Sequence, residues 1–128
     1  AGASFEGQLY YDSDGVGIFK FVGALGAGTW ASGGALNTGR LALGGAGTQS
    51  ASIAFGGQVP PSTLFGETEL YNGTAWTELN DLNTSRREMG GAGIVAAALA
   101  MSGEISTITT ATEEWSEPNL TVKTVDVD

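Results

Sequence analysis

The chain has no cysteine and no histidine, three prolines, and five cationic side chains against 14 acidic ones. Without cysteine there is no disulfide framework and no thiol nucleophile. Without histidine there is no imidazole base, and nearly every zinc site loses its ligands. The cations Lys20, Arg40, Arg86, Arg87 and Lys123 are scattered and the formal net charge is −9. No basic patch exists to neutralise phosphates, so neither nucleic acid nor an anionic membrane surface is an expected partner. Long apolar runs are also missing. Residues 94–101 form the longest, eight residues, where a membrane helix takes about 20, so no membrane insertion is expected.

What is present is glycine, 21 residues in 128, in a chain that is 41% hydrophobic. The glycines show no three-residue period, which excludes collagen, and the apolar share is too high for a disordered chain. The length allows one domain with a modest core. Together these point to an acidic, all-β chain.

An internal repeat organises the sequence. Residues 30–57 and 76–103, offset by 46, share 12 identities in 28 positions, several times what chance supplies. The identities include Trp30 with Trp76, the Leu-Asn-Thr-x-Arg run ending at Arg40 and Arg86, the Gly-Gly-Ala-Gly run, and Gly57 with Gly103. Each unit reads as four short strands. The first has residues 41–48, a turn at Gln49-Ser50, and residues 51–55 closed by Gly56-Gly57. A looser segment with Pro60-Pro61 follows. Residues 67–71 and 74–79 then flank Asn72-Gly73, a hairpin signal in which both turn residues take positive φ. The second unit repeats the pattern over residues 89–94, 96–101 and 109–115. A four-stranded unit of 40 to 50 residues has the size of a propeller blade.

These residues resemble the kelch-type repeat. Arg40, Gly56-Gly57, Glu69, Tyr71 and Trp76 fill one repeat, and Arg86, Gly103, Glu113, Glu114 and Trp115 most of a second. The second departs from the pattern, with Ser102 in place of the first glycine and no tryptophan following Trp115. The wording GTW, LNTGR, GGAGTQSA, AFGG and TEEW is similar to kelch-like proteins of tailed bacteriophages, and the opening EGQLYYDSDGVGIFKF is similar to an N-terminal hairpin of such proteins. The resemblance implies a virion-associated, extracellular tail-fibre, spike or decoration protein, non-enzymatic and without cofactors. It would serve structure or host recognition, with other virion proteins and a cell-surface glycan as partners beside itself. The other reading is a bacterial extracellular protein that binds glycans or forms filaments.

The organisation expected is an N-terminal hairpin segment at 1–27, a first blade at 28–82, and a second blade with a C-terminal strand at 83–128. Two blades cannot close a propeller of four to eight, and open blades expose sheet edges and apolar flanks. Closure by copies of the chain is the economical outcome. Three chains of two blades or two of three would supply six, and the resemblance favours a homotrimer. The β-prone tail, residues 119–128, could complete a blade, on a neighbouring chain among other places.

Trp30, Trp76 and Trp115 are expected to pack between blades, since large aromatics dominate core burial, although their faces also suit sugar rings. Arg40 and Arg86 are expected to pair with the recurring Glu69 and Glu113, or with strand-end carbonyls, as structural links. If a ligand surface exists, its candidates lie in loops. These are Thr63 and Phe65 in a Pro-containing insertion, residues 58–66, outside the repeated pattern, and Thr107 and Thr109 in the matching loop of the second unit, the Thr-rich residues 104–111. Asp12-Ser13-Asp14-Gly15 resembles the start of a calcium loop, but its twelfth position is Gly23 rather than Glu, so a hairpin turn is expected and no metal. Three sequons, at Asn72, Asn83 and Asn119, are common by chance in such a composition. Catalysis finds little support: Glu113 and Glu114 are adjacent and would point to opposite strand faces, and no serine has a histidine partner.

Overall fold

A computed structural model describes the backbone of residues 8–10 and 20–22 and the whole of residues 26–118. The tail at 119–128, the Asp12–Gly15 segment with Gly23, and the sequon at Asn119 lie outside the described residues. The chain divides into two compact units, residues 1–31 and 32–128. In the first, β1 (Gln8–Tyr10) and β2 (Lys20–Val22) pair antiparallel with Gln8 opposite Val22.

The second unit is all-β and antiparallel. Strands β3 (Gly44–Thr48), β4 (Ala51–Phe55), β7 (Thr68–Tyr71) and β8 (Trp76–Leu79) form a four-stranded meander in that order, which we call blade 1. Between β4 and β7, β5 (Gln58–Val59) and β6 (Thr63–Leu64) make a small hairpin whose tip holds a cis Pro60–Pro61 bond. Blade 2 contains β9 (Gly90–Ile94), β10 (Ala97–Met101) and β11 (Thr112–Ser116), with β10 in the middle. A fourth strand beside β11 is not found among the described residues. Among the described residues none of the sheets closes on itself.

Three details differ from the sequence expectation. The strand expected over 41–48 begins at Gly44, because Ala42 turns to φ 54° and leaves Leu41 as a lone bridge to Gln58. Glu88 repeats that turn at φ 54°, and Arg87 repeats the bridge, to Glu104. Asn72-Gly73 is not a two-residue hairpin turn, since only Gly73 takes positive φ. Instead the Asn72 Oδ1 accepts the N–H groups of Thr74 and Ala75, both at 2.9 Å, and four residues make the connection. The segment 58–66 is not an insertion outside the repeat. Phe65 donates to Gly57 O and Thr109 to Gly103 O, both at 2.9 Å, and Glu104 bridges Ile108 as Gln58 pairs with Leu64. Both blades carry the same loop.

The core lies where blade 1 meets blade 2. Residues paired across a sheet share a face, and neighbours along a strand alternate. One face of blade 1 therefore carries Ala46, Ile53, Phe55 and Leu70. Ile53 and Phe55, 1% and 3% exposed, pack on Met89, Ala98 and Ala100 of blade 2. The last two come from the opposite face of blade 2, so the blades stack front to back. Glycine permits the close approach of the inner strands: a Cβ at Gly91 would meet Gly45 O at 2.3 Å.

Candidate functional site

The repeated polar residues converge on the links between blades. Glu69 projects from the back face of blade 1, opposite Ala54, and is 1% exposed. Its carboxylate accepts the backbone N–H of Asn37 at 2.8 Å and of Thr38 at 3.5 Å, and lies 3.3 Å from Arg40 Nη2. Glu113 occupies the same register position in blade 2, opposite Ala100. It accepts Asn83 N–H at 2.7 Å and Thr84 N–H at 3.3 Å, and lies 3.3 Å from Arg86 Nη2. The Leu-Asn-Thr-x-Arg motif is thus a clamp. Its Asn and Thr amides hold the carboxylate of the following blade and its Arg neutralises it. This is the pairing expected from the sequence, with the Asn-Thr backbone as the part not foreseen.

The two clamps differ in one partner. Arg40 Nη1 also bonds Glu67 Oε2 at 2.9 Å. Glu67 O accepts from Gly56 N, and Ala111 O accepts from Ser102 N in the same place in blade 2, so Ala111 stands where Glu67 does. The Arg86 side chain is 0% exposed, and its Nε, Nη1 and Nη2 have no hydrogen-bond partner. Its contact with Glu113 is an ion pair without an aligned hydrogen bond.

Gly57 and Gly103, at φ 106° and 110°, turn the chain out of β4 and β10. Gly57 N donates to Arg86 O at 2.9 Å, tying blade 1 to the start of blade 2. Gly56 and Ser102 hold φ 65° and 60°, so the serine that departs from the glycine doublet keeps its conformation. Arg87 joins the two loops, bonding Gln58 Oε1 and Glu104 Oε1, and the Glu104 carboxylate raises its guanidinium above the ordinary arginine value.

The loop candidates stand apart in character. Thr63 and Thr107 are exposed, while Phe65 and Thr109 are half-buried. Phe65 and Thr109 are equivalent positions at the loop bases, and Phe65 O accepts from Arg86 N at 3.3 Å. Thr109 Oγ1 accepts from Ala111 N, and its carbonyl accepts from Ser102 Oγ. Both are used by the backbone that shapes the loop, which leaves Thr63 and Thr107, whose hydroxyls have no partner among the described residues.

The tryptophans do not share one role. Trp76 opens β8, stacks on Tyr71 with ring centroids 4.9 Å apart, and donates Nε1 to Gly34 O at 3.0 Å. Trp115 lies opposite Ala98, where Tyr71 lies opposite Ser52, so it corresponds to Tyr71 and not to Trp76. It packs against the core and donates Nε1 to Val95 O at 3.0 Å. Trp30, expected between blades, is instead fully exposed. Beside Trp115 a cleft opens between the blades, lined by Phe55, Asn80, Asp81, Asn83, Glu113 and Trp115 among others.

Compared with known proteins, the sequence matches no family model, and no curated protein matches it.

Proposed function

We propose that the chain is a non-enzymatic assembly module that joins copies of itself blade to blade. In this reading it is a structural or host-recognition component of a phage virion, with kelch-like blades closed into a propeller and a trimer supplying six of them. One observation carries the self-association: blade 2 has a face made like one that blade 1 buries. In register, Leu99 and Met101 correspond to Ile53 and Phe55. Ile53 and Phe55 are closed off by the next blade, whereas Met101 is 36% exposed and Ile94, on the same face, 58%. The back of blade 1 in a second copy offers what blade 2 offers blade 1. Such a contact is head to tail and propagates until it closes.

The repeated carboxylates support a structural role over catalysis, since Glu69 and Glu113 are each held by two backbone amides and an arginine. Native mass measurement tests the reading. The wild-type chain is expected as a multimer and the Leu99→Asp/Met101→Glu variant as a folded monomer. A folded wild-type monomer overturns self-association. Absence of the protein from purified virions of a phage whose genome encodes it overturns the virion assignment.

A further inference from the structure

Blade 2 lacks among the described residues the outer strand that blade 1 has, and another part of the chain matches that strand. The 46-residue offset that superposes the repeats places Trp30 on Trp76 and residues 30–33 on β8. Residues 30–33 nevertheless belong to no strand and Trp30 is wholly exposed. In blade 1, the chain immediately before a Leu-Asn-Thr-x-Arg clamp is the outer strand of the blade that the clamp leaves. Residues 30–33 precede the first clamp. By the same rule they are the outer strand of whatever blade stands before blade 1.

We propose that residues 30–33 of one chain add as an antiparallel strand to the open β11 edge of a second copy, seating the Trp30 indole in the cleft beside Trp115. This rests on the self-association reading and names its contact. In blade 1 the strand pairs Thr68 with Leu79, Glu69 with Glu78, Leu70 with Thr77 and Tyr71 with Trp76. Carried to blade 2, Thr112 faces Gly33 of the neighbouring copy, Glu113 faces Ser32, Glu114 faces Ala31, and Trp115 faces Trp30.

The groups that hold Trp76 in blade 1 have counterparts waiting in the cleft. Trp76 stacks on Tyr71, and Trp115 fills the Tyr71 position. Trp76 Nε1 donates to Gly34 O, whose equivalent at the same offset is Asn80 O, on the cleft wall. Asn37 Nδ2 donates to Trp76 O at 3.0 Å. Asn83, the matching residue, also lines the cleft, and its side-chain amide makes no counterpart of that bond among the described residues. A strand that adds to a free edge gains main-chain hydrogen bonds, and the indole in its pocket supplies the choice of partner. In this proposal the copy that places its back face on Leu99 and Met101 is also the one that donates residues 30–33.

The chain has no cysteine, so paired cysteines can read this register without background. Facing residues on antiparallel strands lie within disulfide reach. The Ala31→Cys/Glu114→Cys variant is therefore expected to oxidise into covalent multimers. It should give roughly ten-fold more intermolecular disulfide than Ser32→Cys/Glu114→Cys, whose side chains point to opposite faces. Trp30→Ala is expected to weaken association by about ten- to a hundred-fold, as loss of a buried aromatic anchor does. An internal disulfide in a monomeric chain overturns donation between copies. A native multimer that forms no cross-link, as when the chain's own tail occupies the β11 edge, overturns strand donation and leaves self-association standing. A folded monomer removes both.

Discussion

Arg86 lies 3.3 Å from Glu113 as Arg40 lies 3.3 Å from Glu69, but only Arg40 also reaches a second carboxylate, Glu67, at 2.9 Å. The same clamp therefore holds two carboxylates in one blade and one in the other. That inequality makes the stability of each blade separately addressable.

Removing the Glu69 carboxylate takes the acceptor from two backbone amides and leaves the buried Arg40 guanidinium with Glu67 alone. Glu69→Ala is expected to cost about 1 to 3 kcal/mol of unfolding free energy, measured by urea titration. A cost under about 1 kcal/mol, the range of exposed pairs, would show that the clamp is not desolvated.

Ala111→Glu should do the reverse. It places a carboxylate where Glu67 stands in blade 1, within reach of Arg86 nitrogens that lack partners. A gain of about 1 kcal/mol is expected, the net worth of one charge-assisted hydrogen bond. Denaturant midpoints of the two chains decide it, and Arg86→Leu should abolish the gain.

Two adjacent glycines in β9 should answer oppositely to the same substitution. A Cβ at Gly91 would come within 2.3 Å of Gly45 O, whereas at Gly90 the nearest atom is Met101 Cε at 3.6 Å. Gly91→Ala must push β9 from β3 and is expected to cost about 2 kcal/mol or more. Gly90→Ala should be neutral or stabilise by up to about 1 kcal/mol, through the unfolded chain. Thermal unfolding of the two variants separates them.

The connection from β7 to β8 depends on one side chain. Asn72→Ala removes the acceptor for two amides and is expected to cost about 1 kcal/mol. Asn72→Asp, which keeps the acceptor, should retain most of that stability in the same titration.

The blades and their arginine–carboxylate links were legible because the residues that form them recur as identities: Arg40 with Arg86, and Gly57 with Gly103. Glu69 and Glu113 recur at a spacing two residues shorter, because the loop after Gly103 is shorter by two. Trp115 takes the Tyr71 position under that shift, in keeping with the absence of a tryptophan after it. The loops 58–66 and 104–111 matched by their place in the two units although they share little sequence, and their backbone bonds show the common shape. Ala42, Glu88 and Ser102 adopt positive φ without glycine, which residue preference speaks against.

The glycine strands also bear on the self-association proposed above. Each copy carries a formal charge of −9, so approach is opposed over most of the surface and should ease as salt screens it. Strands β3 and β9, Gly-Gly-Ala-Gly-Thr and Gly-Gly-Ala-Gly-Ile, bear no charge at all. In the proposed assembly these strands offer neutral backbone, where repulsion between copies has least hold.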